Sequence, residues 1–393
     1  MKLTPYSLDN HFSYKFSFTI DEVLQDWSNI QHTNLYLSAS YLKAIEQSKI
    51  PYLSFVYVVI YKKEIPVGIM YFQCLEITNG FYFQDTFPQE INKRITTKLL
   101  KKLCGNLMMC GNFFATGVNG YVLNKEVSPH LIYDVIKSLK ITLKNDKTPL
   151  DFSFLMFKEF WKHQEIDLQK RIQSKKLTAF EIDVNMVLYL KPHWNTFKEY
   201  LEEMTTKYRT RAKSVYKKTV SVREQLLTAE EINKHKSIIR DLYLSVVKTA
   251  SFNMVEFSTD SFYQFKKELK EDFVFKAYFQ EDKMIAFSTA CFTDGCLDAN
   301  YVGINYDINN TIPLYQRILY DYVQLAIHHQ VKELRLGRTA EMMKSSLGAK
   351  PVGMYLYLKH TNKVVNTIIK PLIKSVKPSE YELRNPFKDK VKT

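Results

Sequence analysis

At 393 residues the chain is too long for one ordinary hydrophobic core and fits two domains of about 200 residues each. Its 46% hydrophobic and 24% charged content excludes a largely disordered protein, and its apolar runs are too short and too interrupted by Lys, Asn or Gly to cross a bilayer. The formal charge of +14 points to an anionic cofactor, an anionic membrane surface or nucleic acid, unless it only follows from a Lys- and Asn-rich composition.

Met1 to Ile20 lacks the charged opening and continuous apolar stretch of a secretion signal, so a cytoplasmic location is expected. In the first half, apolar periodicity predicts a helix around Leu37 to Gln47 and a strand pair, Ser54 to Tyr61 and Ile65 to Glu76, joined by Lys62-Lys63-Glu64. A helix from Asn92 to Leu103, a strand from Met108 to Thr116, a glycine-bearing turn, a helix from Ser128 to Lys144 and a strand from Phe152 to Phe157 follow. The strand-like NMVLYL closes at Lys191-Pro192, which sets the expected domains at 1–190 and 191–393.

The second half repeats the scheme. Helices are predicted over Trp194 to Lys218, Ala229 to Val247 and Ser261 to Glu271. The strands Phe273 to Gln280 and Met284 to Thr293, a strand from Leu297 to Ile304 and a helix from Leu314 to Gln330 come next. From Val331 to His360 the chain reads as strand, turn, short helix and strand: Gly337-Arg338 sit in the turn, Thr339 caps a helix carrying Glu341 and Lys344, and Gly348 stops it. An arginine, a lysine, a carboxylate and the N–H groups of a helix start in one turn suit an anionic ligand. Antiparallel strand pairs followed by a strand–helix–strand crossover, twice over, predict an α+β protein of two mixed, mostly antiparallel sheets flanked by helices.

Cys74, Cys104, Cys110, Cys291 and Cys296 are odd in number and form no CxxC pair, the histidines form no HExxH, and no metal site is expected. The C-terminal VVNTIIKPLIKSVKP places Val365, Ile368, Ile369, Leu372, Ile373 and Val376 on one side, with Lys363, Lys370, Lys374 and Lys377 around the other. This suits either an interfacial helix on anionic lipid or a helix packed across the domain pair, with Pro371 kinking it.

The string LGRTAEMMKSSLGAKPVGMYLYLKH, with Lys207-Tyr208-Arg209, Tyr301-Val302-Gly303, Tyr315-Gln316 and Asn385-Pro386-Phe387, resembles the GNAT acyl-CoA N-acyltransferase superfamily. More narrowly, it is similar to the tandem-domain proteins related to FemAB peptidoglycan aminoacyltransferases, with Tyr36-Leu37-Ser38, Val67-Gly68, Gly111-Asn112 and Gly117 in the first half. The resemblance implies tandem GNAT-like domains, the active site in the second. There an acyl thioester enters between splayed strands, and its pyrophosphate rests on the start of the following helix. That maps the splayed strand to Leu297–Ile304 and the phosphate loop to Asn305–Pro313. The loop reads NYDINNTIP where typical members are glycine-rich.

Amide formation from a thioester needs a base for the amine, donors for the oxyanion and an acid for the leaving thiolate. Candidate catalytic residues are Asp298, Asn300, Tyr301 and Glu341. By alternation Asp298 and Asn300 share one strand face and Tyr301 takes the other; the Asp298/Asn300 face or Glu341 supplies the base, and Tyr301 or Tyr315 the acid. Candidate donor-binding residues are Lys207, Arg209, Gly303, Asn309, Asn310, Tyr315, Arg338 and Lys344. No permanently bound cofactor is expected, and the donor is acyl-CoA or an acyl carrier protein thioester. The acceptor is a primary amine, with an amphiphilic long-chain lipid base or cell-envelope precursor favoured and contact with the inner face of an anionic membrane allowed. The alternative is amino-acid transfer from aminoacyl-tRNA to a peptidoglycan precursor. It ranks second because the heptad arm that many members carry has no counterpart here. Nucleic-acid binding alone ranks last, since no binding motif accompanies the charge.

Overall fold

The computed structural model describes residues 3–76, 106–146, 148, 150, 152–162, 177–181, 183–248, 255, 257–375 and 380–388. The chain forms two compact units, and neither is continuous in sequence. One contains residues 1–182, 254–256 and 353–378; the other contains 183–253, 257–352 and 379–393. A single cut at residue 190 therefore does not separate them.

The first unit is built on β1 (Tyr6–Ser7), β2 (Phe12–Ser17), β3 (Leu53–Lys62), β4 (Ile65–Leu75), β5 (Leu107–Cys110), β6 (Tyr121–Leu123), β7 (Phe154–Trp161) and β8 (Thr178–Phe180). The β3–β4 hairpin closes through Lys63 and Glu64, both at positive φ (47° and 67°), the geometry of a two-residue turn whose twist matches the strands. Both strands are buried over most of their length, which explains why they read as nearly continuous apolar runs. After β5 the helix His130–Asn145 crosses back, burying Leu131, Val135, Ile136, Leu139 and Leu143, and β7 returns parallel to β5. The helix expected at Asn92 to Leu103 lies outside the described residues.

The sheet order is β1-β2-β3-β4-β5-β7-β16-β8, with β6 on β4, so a strand from the far end of the chain, β16 (Met354–His360), lies between β7 and β8. This corrects the reading in which 331–360 closes the second domain. Burial decides it: Tyr357 is fully buried in the first unit's core, edge-on to Phe160 with ring centroids 5.5 Å apart, and the strand pairs antiparallel with β7 from Met354↔Trp161 to His360↔Phe154. The helix Lys363–Ser375 then packs on β16 and β8.

The second unit has the order β10-β11-β12-β13-β14-β9-β15, from β9 (Asn185–Tyr189), β10 (Val222–Leu226), β11 (Phe273–Gln280), β12 (Lys283–Thr293), β13 (Cys296–Ile304), β14 (Glu333–Arg335) and β15 (Lys350–Val352). The described pairs are antiparallel except β13 with β14, which the helix Leu314–His328 joins as a crossover. The expected helix over 194–218 divides into Phe197–Glu203 and Thr206–Lys218 at Met204-Thr205, where Met204 bridges Phe387. These helices and Leu314–His328 enclose the main core. On the other face Phe262 of the helix Ser261–Leu269 packs on Phe275 and Phe287.

Candidate active site

β13 and β14 pair over three residues each, Cys296↔Glu333, Leu297↔Leu334 and Asp298↔Arg335, and then part. β13 runs on to Ile304, while the chain beyond Arg335 turns along β9. There Leu336 N–H donates to the Met186 carbonyl (2.8 Å), Met186 N–H to the Gly337 carbonyl (3.0 Å) and Gly337 N–H to the Asn185 carboxamide (3.0 Å). Past β14 the backbone is left-handed at Gly337 (φ +72°), Thr339 (+60°) and Ala340 (+54°). Non-glycine residues in that region each cost about 1–3 kcal/mol, and such strain collects at functional sites. Thr339 does not cap the next helix; Ala340 occupies the cap position without a side-chain bond. The turn stays near the start of the departing strand: a Cβ at Gly337 would lie 3.9 Å from the Ala299 carbonyl.

The candidate residues divide between the two faces of β13. Its pairing with β12 jumps from Ala299↔Ala290 to Val302↔Ser288, a bulge of one extra residue that shifts the alternation. Asp298 pairs with Cys291 and Gly303 with Phe287, which share a face of β12, so Asp298 and Tyr301 lie on one side instead of opposite sides. At the bulge Thr289 replaces a backbone partner, its Oγ1 accepting from Tyr301 N–H at 3.0 Å. Tyr301 stacks on Phe257 at 4.4 Å and meets Tyr243 and Phe262 edge-on, as a wall residue. Gly303 is buried, and a Cβ there would sit 2.2 Å from the Phe287 ring and 2.9 Å from Leu242 backbone. It serves close approach of the helix Lys236–Val247, not a ligand. Asp298 is buried beside Arg335 (Oδ1 to Nη1 3.7 Å), whose Nε also meets Glu333 at 3.0 Å. Asn300 is half-buried in the bulge.

On the other side Tyr315 and Met343 pack against the main core, Met343 in the helix that Glu341 opens. Burial pushes the Tyr315 phenol well above its ordinary value, and the nearby Tyr306 and the Glu341 carboxylate raise it further. Tyr315 thus keeps its proton near neutral pH, and Glu341 stands at the first position of the helix Glu341–Ser345. Lys344, expected to hold an anion, is buried instead, and its ammonium donates to the Arg338 carbonyl inside the left-handed turn. Burial lowers its pKa to about 7 against the opposing pull of Glu341. Arg338 is half-buried in that turn.

The expected phosphate loop is a helix, Tyr306–Thr311, capped by Asn305, whose Oδ1 accepts from Ile308 N–H. The start of the helix Leu314–His328 is engaged by its own chain. Pro313 has no N–H, Leu314 N–H donates to Ile312 O at 2.8 Å, and Tyr315 N–H donates to Asn309 Oδ1 at 2.9 Å. Asn309, expected to bind the donor, thus holds the helix start on which the resemblance sets a CoA pyrophosphate. Asn310 is exposed on the short helix. Beside the same helix start runs Thr206–Lys218, with Lys207, Arg211, Lys213, Lys217 and Lys218 exposed and Arg209 half-buried; Arg211 Nε donates to Gln316 Oε1 at 3.2 Å. Among the described residues no group of three or more His, Cys, Asp or Glu is placed to hold a metal.

In the first unit the corresponding parting, after Cys110↔Phe157, is stitched shut. Buried Lys158 donates from Nζ to the carbonyls of Asn112 and Ala115, both at 2.6 Å, and pairs with fully buried Glu159 at 3.2 Å. Glu159, at φ +58°, accepts from Gly117 N–H. Three features escaped the sequence reading: Asn185 holding Gly337, Tyr306 acting on the Tyr315 phenol, and the bond from Tyr315 N–H to Asn309. Each is one polar residue whose role exists only after the backbone has folded.

Compared with solved structures, the chain superposes on FemX with a TM-score of 0.55 at 9% identity, covering 90% of this chain and 99% of that one. The chain has the fold of FemX. A conserved protein of unknown function from Bacteroides thetaiotaomicron matches this FemX-like fold with a TM-score of 0.50 at 8% identity over 87% of this chain and 98% of its own. No family model matches the sequence, and no curated protein matches it.

Proposed function

We propose that the second unit is an N-acyltransferase, moving an acyl group from an activated donor to a primary amine at the parting of β13 and β14. The observation that carries this reading is the parallel β13–β14 pairing that ends at Asp298↔Arg335, with a left-handed turn following in the chain. Past Asp298 the β13–β14 ladder ends, and the main chain of β13 beyond that point is where an extended amide-bearing arm would pair. Glu341 takes the proton of the attacking amine, directly or through water, and Tyr315 protonates the leaving atom. The engaged helix start argues for a donor without an ADP pyrophosphate, and an acyl carrier protein thioester is the donor we favour. A primary amine on an amphiphile, such as a lipid base or envelope precursor, is the proposed acceptor class. One observation favours a second reading, an aminoacyl-tRNA donor: the basic helix Thr206–Lys218 beside the gap could track a phosphate backbone.

The test is a donor panel with amine acceptors, read by mass spectrometry of the amide product. Product from acyl carrier protein, with release of its thiol, supports the first reading. Product only from charged tRNA replaces it with the second. Efficient use of acyl-CoA through its pyrophosphate, lost on adding free ADP, overturns the reading of the helix start.

A further inference from the structure

The helix Lys363–Ser375 carries two apolar stripes, and the first unit uses only one. Ile369 and Ile373 are buried against the unit, whose β16 and β8 the helix contacts. Val364 and Ile368 stand out at 69% and 48% exposure, with Pro371 exposed one turn further along the same stripe. Lys363, Lys370 and Lys374 are all exposed, and at 100° per residue they fall within a narrow arc along one edge of that stripe. Among the described residues none of these three lysines has an ion-pair partner.

We propose that this face docks on the surface of an anionic phospholipid bilayer. Outward apolar residues bordered by lysines match the boundary between acyl chains and anionic headgroups, a chemistry that a purely polar partner would not satisfy. At 13 residues the helix is about 20 Å long, so it lies in the interface and does not span it. No described helix is long and apolar enough to cross a membrane. Pro371 sits on the outward stripe, where its exposed ring adds apolar surface. The proposal stands on the first unit alone and does not depend on the transferase reading.

The experiment is co-sedimentation of the full chain with vesicles of phosphatidylglycerol and phosphatidylcholine, against phosphatidylcholine alone. The full chain is expected to pellet with the anionic vesicles only. Val364→Ser/Ile368→Ser should weaken partitioning at least about fivefold, and Lys370→Gln/Lys374→Gln about fivefold per lysine at low salt. Thermal midpoints should match wild type, since these side chains are exposed. Quenching of an Ile368→Trp variant by bromine-labelled lipid reads insertion without a loss-of-function variant. A protein that stays in the supernatant with anionic vesicles overturns the proposal. So does wild-type binding by both sets of variants while Lys213→Gln/Lys217→Gln releases the protein, or an unquenched Trp at 368.

Discussion

Tyr315 is held in its neutral form by burial and by the carboxylate of Glu341, while Lys344 is brought near neutrality by burial alone, with Glu341 opposing. One carboxylate thus works on two neighbours in the same direction: it keeps a proton on each. For Tyr315→Phe and Glu341→Gln the expected outcome is a loss of amide formation of about 100-fold or more in kcat with an unchanged thermal midpoint. Retained turnover in both would remove the assignment. Lys344 gives a sign-defined pH effect. Its pKa falls from 10.5 to about 7 on folding, so between these values the unfolded chain binds more protons and stability climbs with pH. Below about pH 7 both states are charged and the burial cost stands in full. Lys344→Met should remove that climb, so the difference in Tm between variant and wild type shifts toward wild type from pH 7 to pH 10. A difference independent of pH contradicts it.

At the scale of elements, the short helix Glu341–Ser345 is fixed from below by a contact far away in sequence. Gly348 is at φ +95°, and a Cβ there would lie 2.1 Å from the Phe387 ring, which itself packs on Trp194 and Tyr200. Gly348→Ala should cost about 2–4 kcal/mol from combined strain and overpacking. Because the clash needs Phe387, the double variant with Phe387→Ala should cost less than the sum of the two, measured by chemical denaturation. Additive costs would show the contact to be unimportant. The strands β3, β4, β11, β12 and β13 and the helices at 130–145 and 314–328 were legible because their apolar periodicity is strong and local. The surroundings of the candidate site residues were less legible than the fold. Glu341 and Tyr315, on which the proposal rests, were among the residues named, Tyr315 through the resemblance. Tyr301 was placed on the wrong face because a one-residue bulge resets alternation and leaves no mark in the composition of β13. Lys344 was read as an anion-holding residue because its burial and its bond to the Arg338 carbonyl depend on the folded turn.

For the whole molecule, the repeated order of elements was visible in the sequence and the exchange of strands was not, since pairing partners β7 and β16 are nearly 200 residues apart. The exchange has a consequence for dissection. Fragments 1–190 and 191–393 each lack a strand of their own sheet and carry one belonging to the other, so neither should show cooperative unfolding alone; two independently folded fragments by NMR would contradict the architecture. The two halves differ where their parallel ladders end: Lys158 and Glu159 lie at the end of the first, while the second ends at Asp298↔Arg335, where the proposed site is set. Hydrogen exchange of the full chain with and without an S-acyl phosphopantetheine tests this most directly. The account predicts new protection across 299–304 and 337–341 and none at 111–118; protection confined to 111–118, or none at 299–304 at saturating ligand, would contradict it.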